Sequence, residues 1–201
     1  MKDVFQIEPH TEIDRAQSYI RAYPHILAAL KSPQPLDEQA FVCGAHMVYG
    51  WMPTILEIHI SGTVDAHAGA ALLNKARTEG RLDNEEIKQL AGLINHSVVG
   101  ASKLLHFVNP EAFAIWDSNI YYFLHGEPGN NSRVNKVGRY ASYSNYLRRL
   151  TQDQRFPEFH SSVNRKMGYA VSPLRALEVV MFINAGASKK STKRKGAVTA
   201  V

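Results

Sequence analysis

The sequence predicts an all-α protein: one domain over residues 1–187, built from about nine to eleven short helices, followed by a basic tail, 188–201, that reads as disordered. Three observations predict it. Apolar residues recur at three- and four-residue spacing, as in Ile87, Leu90, Leu93 and Ile94. Helix-starting residues such as Asp37, Ser97 and Ser172 stand just before such stretches. No convincing alternating run suits a paired strand, and residues 58–64 are the best candidate.

Taken in order, Thr11-Glu12-Ile13-Asp14 reads as a cap with an acidic first turn. Ile13, Ala16, Ile20 and Tyr23 then recur at helical spacing, and Pro24 is expected to bend or break that helix. Pro33 and Pro35 mark a loop, after which Asp37 caps a helix to Tyr49. Pro53 is placed to open a helix through Ile60. Residues 66–77 are rich in alanine and leucine and end near Gly80. Asp83-Asn84-Glu85-Glu86 starts the next helix, and Ser97 or Gly100 begins another that Asn109-Pro110 stops. Asp117 or Ser118 can cap 119–124, and GEPGNN, 126–131, is an irregular loop. Helices are expected at 140–151 and 158–169; the last runs from Ser172-Pro173 to a stop at Gly186.

Composition narrows the classes. The chain has 201 residues, 45% apolar and 20% charged, ordinary for a soluble globular protein. It lacks an apolar run of the roughly eighteen residues that span a bilayer. The start, MKDVFQIEPHTEID, has no signal-peptide core, so a cytoplasmic location is expected, nucleoid-associated in a bacterium. The single Cys43 excludes an internal disulfide, and its apolar neighbours predict a buried structural thiol. Charge is polarised: residues 1–132 sum to −6, residues 133–188 to +6, and the tail adds five cations and no acid. That asymmetry points to a polyanionic partner, or to a solvated basic face.

The stretch GASKLLHFVNPEAFAIWDSNIYYFL, 100–124, puts Lys103 and Asp117 inside runs that otherwise favour burial. They read either as a buried ion pair or as an active site with an amine nucleophile. Cleaving an N-glycosidic bond takes a nucleophile that reaches the anomeric carbon and negative charge beside an oxocarbenium-like transition state. A lysine amine supplies the first and can form a Schiff base; a carboxylate supplies the second. Lys103 lies near a helix start, which offers positive potential, and Asp117 at a loop-to-helix junction.

The string Gly100-Ala101-Ser102-Lys103-Leu104-Leu105-His106-Phe107, then Pro110, then Ala114-Ile115-Trp116-Asp117-Ser118, resembles the catalytic segment of helix-hairpin-helix DNA glycosylases, closest to 8-oxoguanine-glycosylase-like members. The resemblance spans residues 84–124. It implies that Lys103 is the Schiff-base nucleophile and Asp117 the essential acid, acting on damaged double-stranded DNA without metal or cofactor. It further implies a hairpin unit over 84–108, whose amides around Val99, Gly100 and Ser102 hold a phosphate. The usual Leu-Pro-Gly-Val-Gly hairpin is absent, and Asn95-His96-Ser97-Val98-Val99-Gly100 stands in its place.

An extruded base needs stacking and polar surfaces. Trp51, Tyr49, Trp116, His106, Phe107 and Tyr121 are the candidates, with Trp51 favoured by its place between Gly50 and Pro53. Arg133, Lys136, Arg139, Arg148 and Arg149 are candidate phosphate holders. Two other readings remain: a non-catalytic nucleic-acid-binding helical module, and a HEPN-like RNase using the Arg155-x4-His160 pair.

Overall fold

Caps decide where these helices begin. In the computed structural model, which describes residues 2–31, 34–60 and 64–198 (side chains through Ala185), eleven α-helices and one 3-10 turn occur among the described residues. Helix α1, Val4–Ile7, is followed by the 3-10 turn Glu8–His10. The others are α2 Ser18–Leu30, α3 Glu38–Trp51, α4 Ala66–Glu79, α5 Asn84–Leu93, α6 Val98–Val108, α7 Ser118–His125, α8 Asn131–Val134, α9 Val137–Leu150, α10 Phe156–Met167 and α11 Pro173–Val198. Asp37, Asp65 and Ser97 each accept a bond from the backbone N–H three residues on, and Asp83 forms a capping box with Glu86. Gly80 and Gly126 close α4 and α7 in the left-handed conformation.

Three expectations are overridden, that at Thr11 by local contacts and those at Pro24 and Pro53 by tertiary ones. Thr11 does not start a helix: its hydroxyl donates to Ile7 O, closing the first turn, and Asp14 folds back on Ala16 N and Gln17. The helix starts instead at Ser18. Pro24 does not break it. Proline removes the N–H that Ile20 O would accept, and the Tyr169 hydroxyl donates to that carbonyl at 2.6 Å. Pro53 opens no helix, because residues 55–59 lie against the α5–α6 turn. There Asn95 holds Glu57 N and Ile55 O with its side chain, and Ile58 and Ile94 form an isolated antiparallel bridge. Part of the strand candidate 58–64, residues 61–63, lies outside the described residues.

The 126–131 loop is followed by a turn of helix, α8, capped by Asn130. Helix α11 continues past Gly186, so that glycine sits inside a helix at a cost of about 1 kcal/mol rather than ending it. The side chains of the basic tail, 188–201, lie outside the described residues. Cys43 is exposed, against expectation. Helix α3 turns Phe41, Gly44, Ala45 and Val48 inward, which leaves position 43 on the far face.

Helix α6 is the centre of the domain. It packs on α2, α3, α4, α5 and α9, and nearly all its residues are buried. A helix apolar on every side belongs in a core, which makes the lysine in its middle conspicuous. Helix α11 lies along α7 and also touches α1, α9 and α10. None of the described helices is long and apolar enough to cross a membrane.

Candidate functional site

Lys103 and Asp117 meet. Lys103 Nζ lies 3.6 Å from Asp117 Oδ2, and both side chains are 11% exposed. The fourteen-residue separation is closed by their neighbours. Ser102 Oγ donates to Val99 O and Trp116 O and accepts from Trp116 N at 3.1 Å. This exchange fixes the segment entering α7 against α6, one residue before each charged group.

Asp117 has two functions divided between its oxygens. Oδ1 accepts from Asn119 N and Ile120 N, capping α7. Oδ2 is the atom turned to the amine. The acid is therefore fixed by the helix start it caps, and the lysine by the most buried helix of the fold.

The pair opens on a cavity of about 370 Å³. Tyr19, Trp51, Met52 and Phe182 give it apolar walls, and Lys103, Asp117, Arg175 and Glu178 its charge. The ammonium lies 5.7 Å from the Trp51 ring centroid, and the indole N–H is anchored on Tyr19 O. A second depression shares Met52, Lys103 and Asp117 with this cavity and adds Ser97, Asn131 and Asn135.

Arg175 and Glu178 also line the cavity and were not among the residues the sequence brought forward. They stand one turn apart on α11 and form an ion pair in which each side chain is 2% exposed. Burial pushes the Glu178 carboxyl up to about 7, with the Asp117 charge adding to the rise and Arg175 opposing it. The guanidinium lies over the Tyr23 ring at 4.8 Å and the Trp51 ring at 5.7 Å. Its Nε and Nη2 are buried and have no hydrogen-bond partner among the described residues. The signal was present: Arg-x-x-Glu inside the otherwise apolar run LRALEVVMFI has the same oddity as Lys103.

Of the candidate pocket residues, Trp51 alone lines the cavity, and the others have work in the core. Tyr49 is buried and its hydroxyl donates to Ile94 O. Trp116 is buried with its indole N–H on Val134 O. Phe107 is buried, and Tyr121 hydrogen-bonds Glu127. His106 is fully enclosed: Nδ1–H donates to Phe113 O, so Nε2 accepts the Tyr23 hydroxyl. Burial pushes this imidazole down to about 3, which keeps it neutral. Aromatic residues at helical spacing faced inward here, as core residues do.

The candidate phosphate-holding residues also divide. Ser102 is fully buried and Gly100 is buried with its N–H on Ser97 Oγ. A Cβ at Gly100 would come within 2.1 Å of the Tyr49 hydroxyl, so glycine serves close helix packing there rather than a phosphate. Val98 N is taken by Asn135 Oδ1, and Val99 is half-buried. The amides at the start of α6 are thus largely committed within the protein.

Arg133 bonds Glu127 and Pro128 O, and Arg139 stacks on Tyr121. Lys136, Arg148 and Arg149 are exposed, with Arg148 also donating to Ala112 O. Lys136 precedes α9 and Arg148 and Arg149 end it, about 18 Å apart along the axis at 1.5 Å per residue. Lys136, Arg148 and Arg149 are spread along and around α9 and none lines the cavity; the N-terminal end of that helix adjoins the second depression through Val134 and Asn135.

The Arg155–His160 pair is occupied elsewhere. Arg155 bridges Asp3 and Asp153, and His160 Nε2 donates to Val171 O.

No protein-family model, no curated protein and no solved structure matches this chain.

Proposed function

We propose that this protein is a DNA N-glycosylase that removes a base through the Lys103 amine, with Asp117 as its acidic partner. One observation carries the reading: two charged groups from separate elements converge at 3.6 Å on the edge of an aromatic-walled cavity. A cavity of about 370 Å³ falls within the range of small-ligand sites.

In the proposed reaction Asp117 takes a proton from the ammonium, and the freed lone pair attacks C1′. The C1′–N bond breaks as the C1′–Lys bond forms. The base leaves with the bonding pair and takes up a proton. Asp117 supplies that proton, and the carboxylate charge it regains offsets positive charge developing on the sugar. The attached nitrogen, cationic after its attack, then loses a proton; its lone pair opens the sugar ring, whose oxygen takes that proton, leaving a protonated Schiff base on Lys103. Trp51 offers the stacking face for the extruded base, and Lys136, Arg148 and Arg149 offer phosphate contacts along α9.

The test is borohydride reduction on duplexes carrying an abasic site or a panel of altered bases. The proposal expects a covalent protein–DNA species that Lys103→Ala and Asp117→Asn abolish. If wild-type protein leaves every duplex uncoupled, the proposal is wrong. The alternative of binding without chemistry expects salt-sensitive DNA affinity that both variants retain and that neutralising Arg148 and Arg149 weakens.

A further inference from the structure

Arg175 carries a donor pair that the protein does not use. Its Nη1 is given to Glu178, while Nε and Nη2, which form one parallel edge of the guanidinium, lack any acceptor among the described residues. The side chain is 2% exposed and walls the cavity. Leaving buried donors of a charged group unpaired is destabilising. Such a group is retained where an acceptor arrives from outside. The edge demands two neighbouring acceptor atoms in one plane. Trp51, whose ring lies 5.7 Å from the same guanidinium, supplies an aromatic face beside it.

We infer that the cavity selects a 6-oxopurine with an unprotonated N7, its O6 and N7 received by the Nε/Nη2 edge of Arg175. This rests on the reading of the cavity as the seat of an extruded base. An arginine fork pairs with the O6/N7 edge of guanine, whereas adenine presents N7 beside an amino donor. Hypoxanthine and xanthine, the products of purine deamination, keep both acceptors. 8-Oxoguanine carries hydrogen on N7 and sets a donor against a donor. The fork therefore points away from 8-oxoguanine and toward the O6/N7 acceptor edge that guanine, hypoxanthine and xanthine share. Glu178, bonded to Nη1, holds the guanidinium's other side and is a positioning residue.

The experiment measures nucleoside binding to the full chain by quenching of tryptophan fluorescence, which Trp51 reports because Trp116 is buried. Inosine, adenosine, 8-oxoguanosine and sodium acetate are titrated separately. Inosine is expected to bind about 5- to 150-fold more tightly than adenosine or 8-oxoguanosine, the ratio that about 1–3 kcal/mol of discrimination by a good bidentate pair gives. Arg175→Lys should abolish that ratio, and the wild-type ratio stands as evidence even if the variant does not fold. Equal affinities, a preference for adenosine or 8-oxoguanosine, or binding of acetate without inosine overturns the inference. A covalent abasic-site adduct obtained alongside any of those results leaves the glycosylase reading standing, so the two failures are told apart.

Discussion

Separating the two jobs of Asp117 tests whether the charge at Oδ2 is held for Lys103. Asp117→Asn keeps an acceptor oxygen for Asn119 N and Ile120 N and removes the charge 3.6 Å from the ammonium. Breaking a fully buried pair costs about 3–5 kcal/mol. Lys103 borders a cavity at 11% exposure and can turn toward water, so the expected loss is about 1–3 kcal/mol. Asp117→Ala also removes the cap and should lose about 1 kcal/mol more. Lys103→Met strands a carboxylate that keeps its two backbone donors, at a cost of about 1–2 kcal/mol. The double variant Lys103→Met/Asp117→Asn removes both charges and should be no less stable than the worse single variant. Urea unfolding of the four proteins closes the cycle. Strictly additive losses would refute the claim that these groups are energetically paired.

Other predictions follow from the same contacts. Tyr169→Phe leaves Ile20 O without its 2.6 Å donor and should cost about 1–3 kcal/mol; adding Pro24→Ala restores an N–H there, so the loss should shrink by more than half in urea unfolding. Gly100→Ala drives a Cβ to 2.1 Å from the Tyr49 hydroxyl and should cost about 1–3 kcal/mol, lowering Tm by about 2–4 °C per kcal/mol, with partial rescue by Tyr49→Phe. His106, held near 3 by burial against an ordinary 6.5, stays neutral in the fold while the unfolded chain binds a proton. Its contribution is complete above pH 6.5 and is lost as pH falls toward 3, at up to about 1.4 kcal/mol per pH unit. Glu178 acts in the opposite sense. Raised to about 7 from 4.5, it makes the folded state bind the extra proton, so its contribution to stability falls as pH rises from 4.5 to 7. Glu178→Gln should flatten that part of the wild-type pH profile measured by urea unfolding, and an unchanged profile would count against a buried carboxyl.

The helices were largely readable because their starts are local. Asp37, Asp83, Ser97, Asp117 and Ser172 cap through groups two or three residues away, and a sequence displays such spacings. Pro24 was misread because its missing N–H is replaced by a hydroxyl 149 residues from Ile20, a contact no local pattern carries. Residues 55–59 failed similarly, since their pairing with Asn95 is tertiary. At the site, a charge inside an apolar run was the productive signal. It brought out Lys103 and Asp117, and the same rule applied to residues 174–183 would have brought out Arg175 and Glu178. Aromatic identity was a poor guide, because Tyr49, Trp116 and Phe107 satisfy a core at the same periodicity that would serve a pocket. Ser102 was assigned to a ligand and instead ties α6 to the segment bearing Asp117.

The most direct measurement is peptide mass mapping of the protein after borohydride reduction on an abasic-site duplex. The account predicts a reduced sugar–phosphate remnant on the peptide containing Lys103, and on that lysine alone. A remnant on a different lysine, or an unmodified digest, would contradict it.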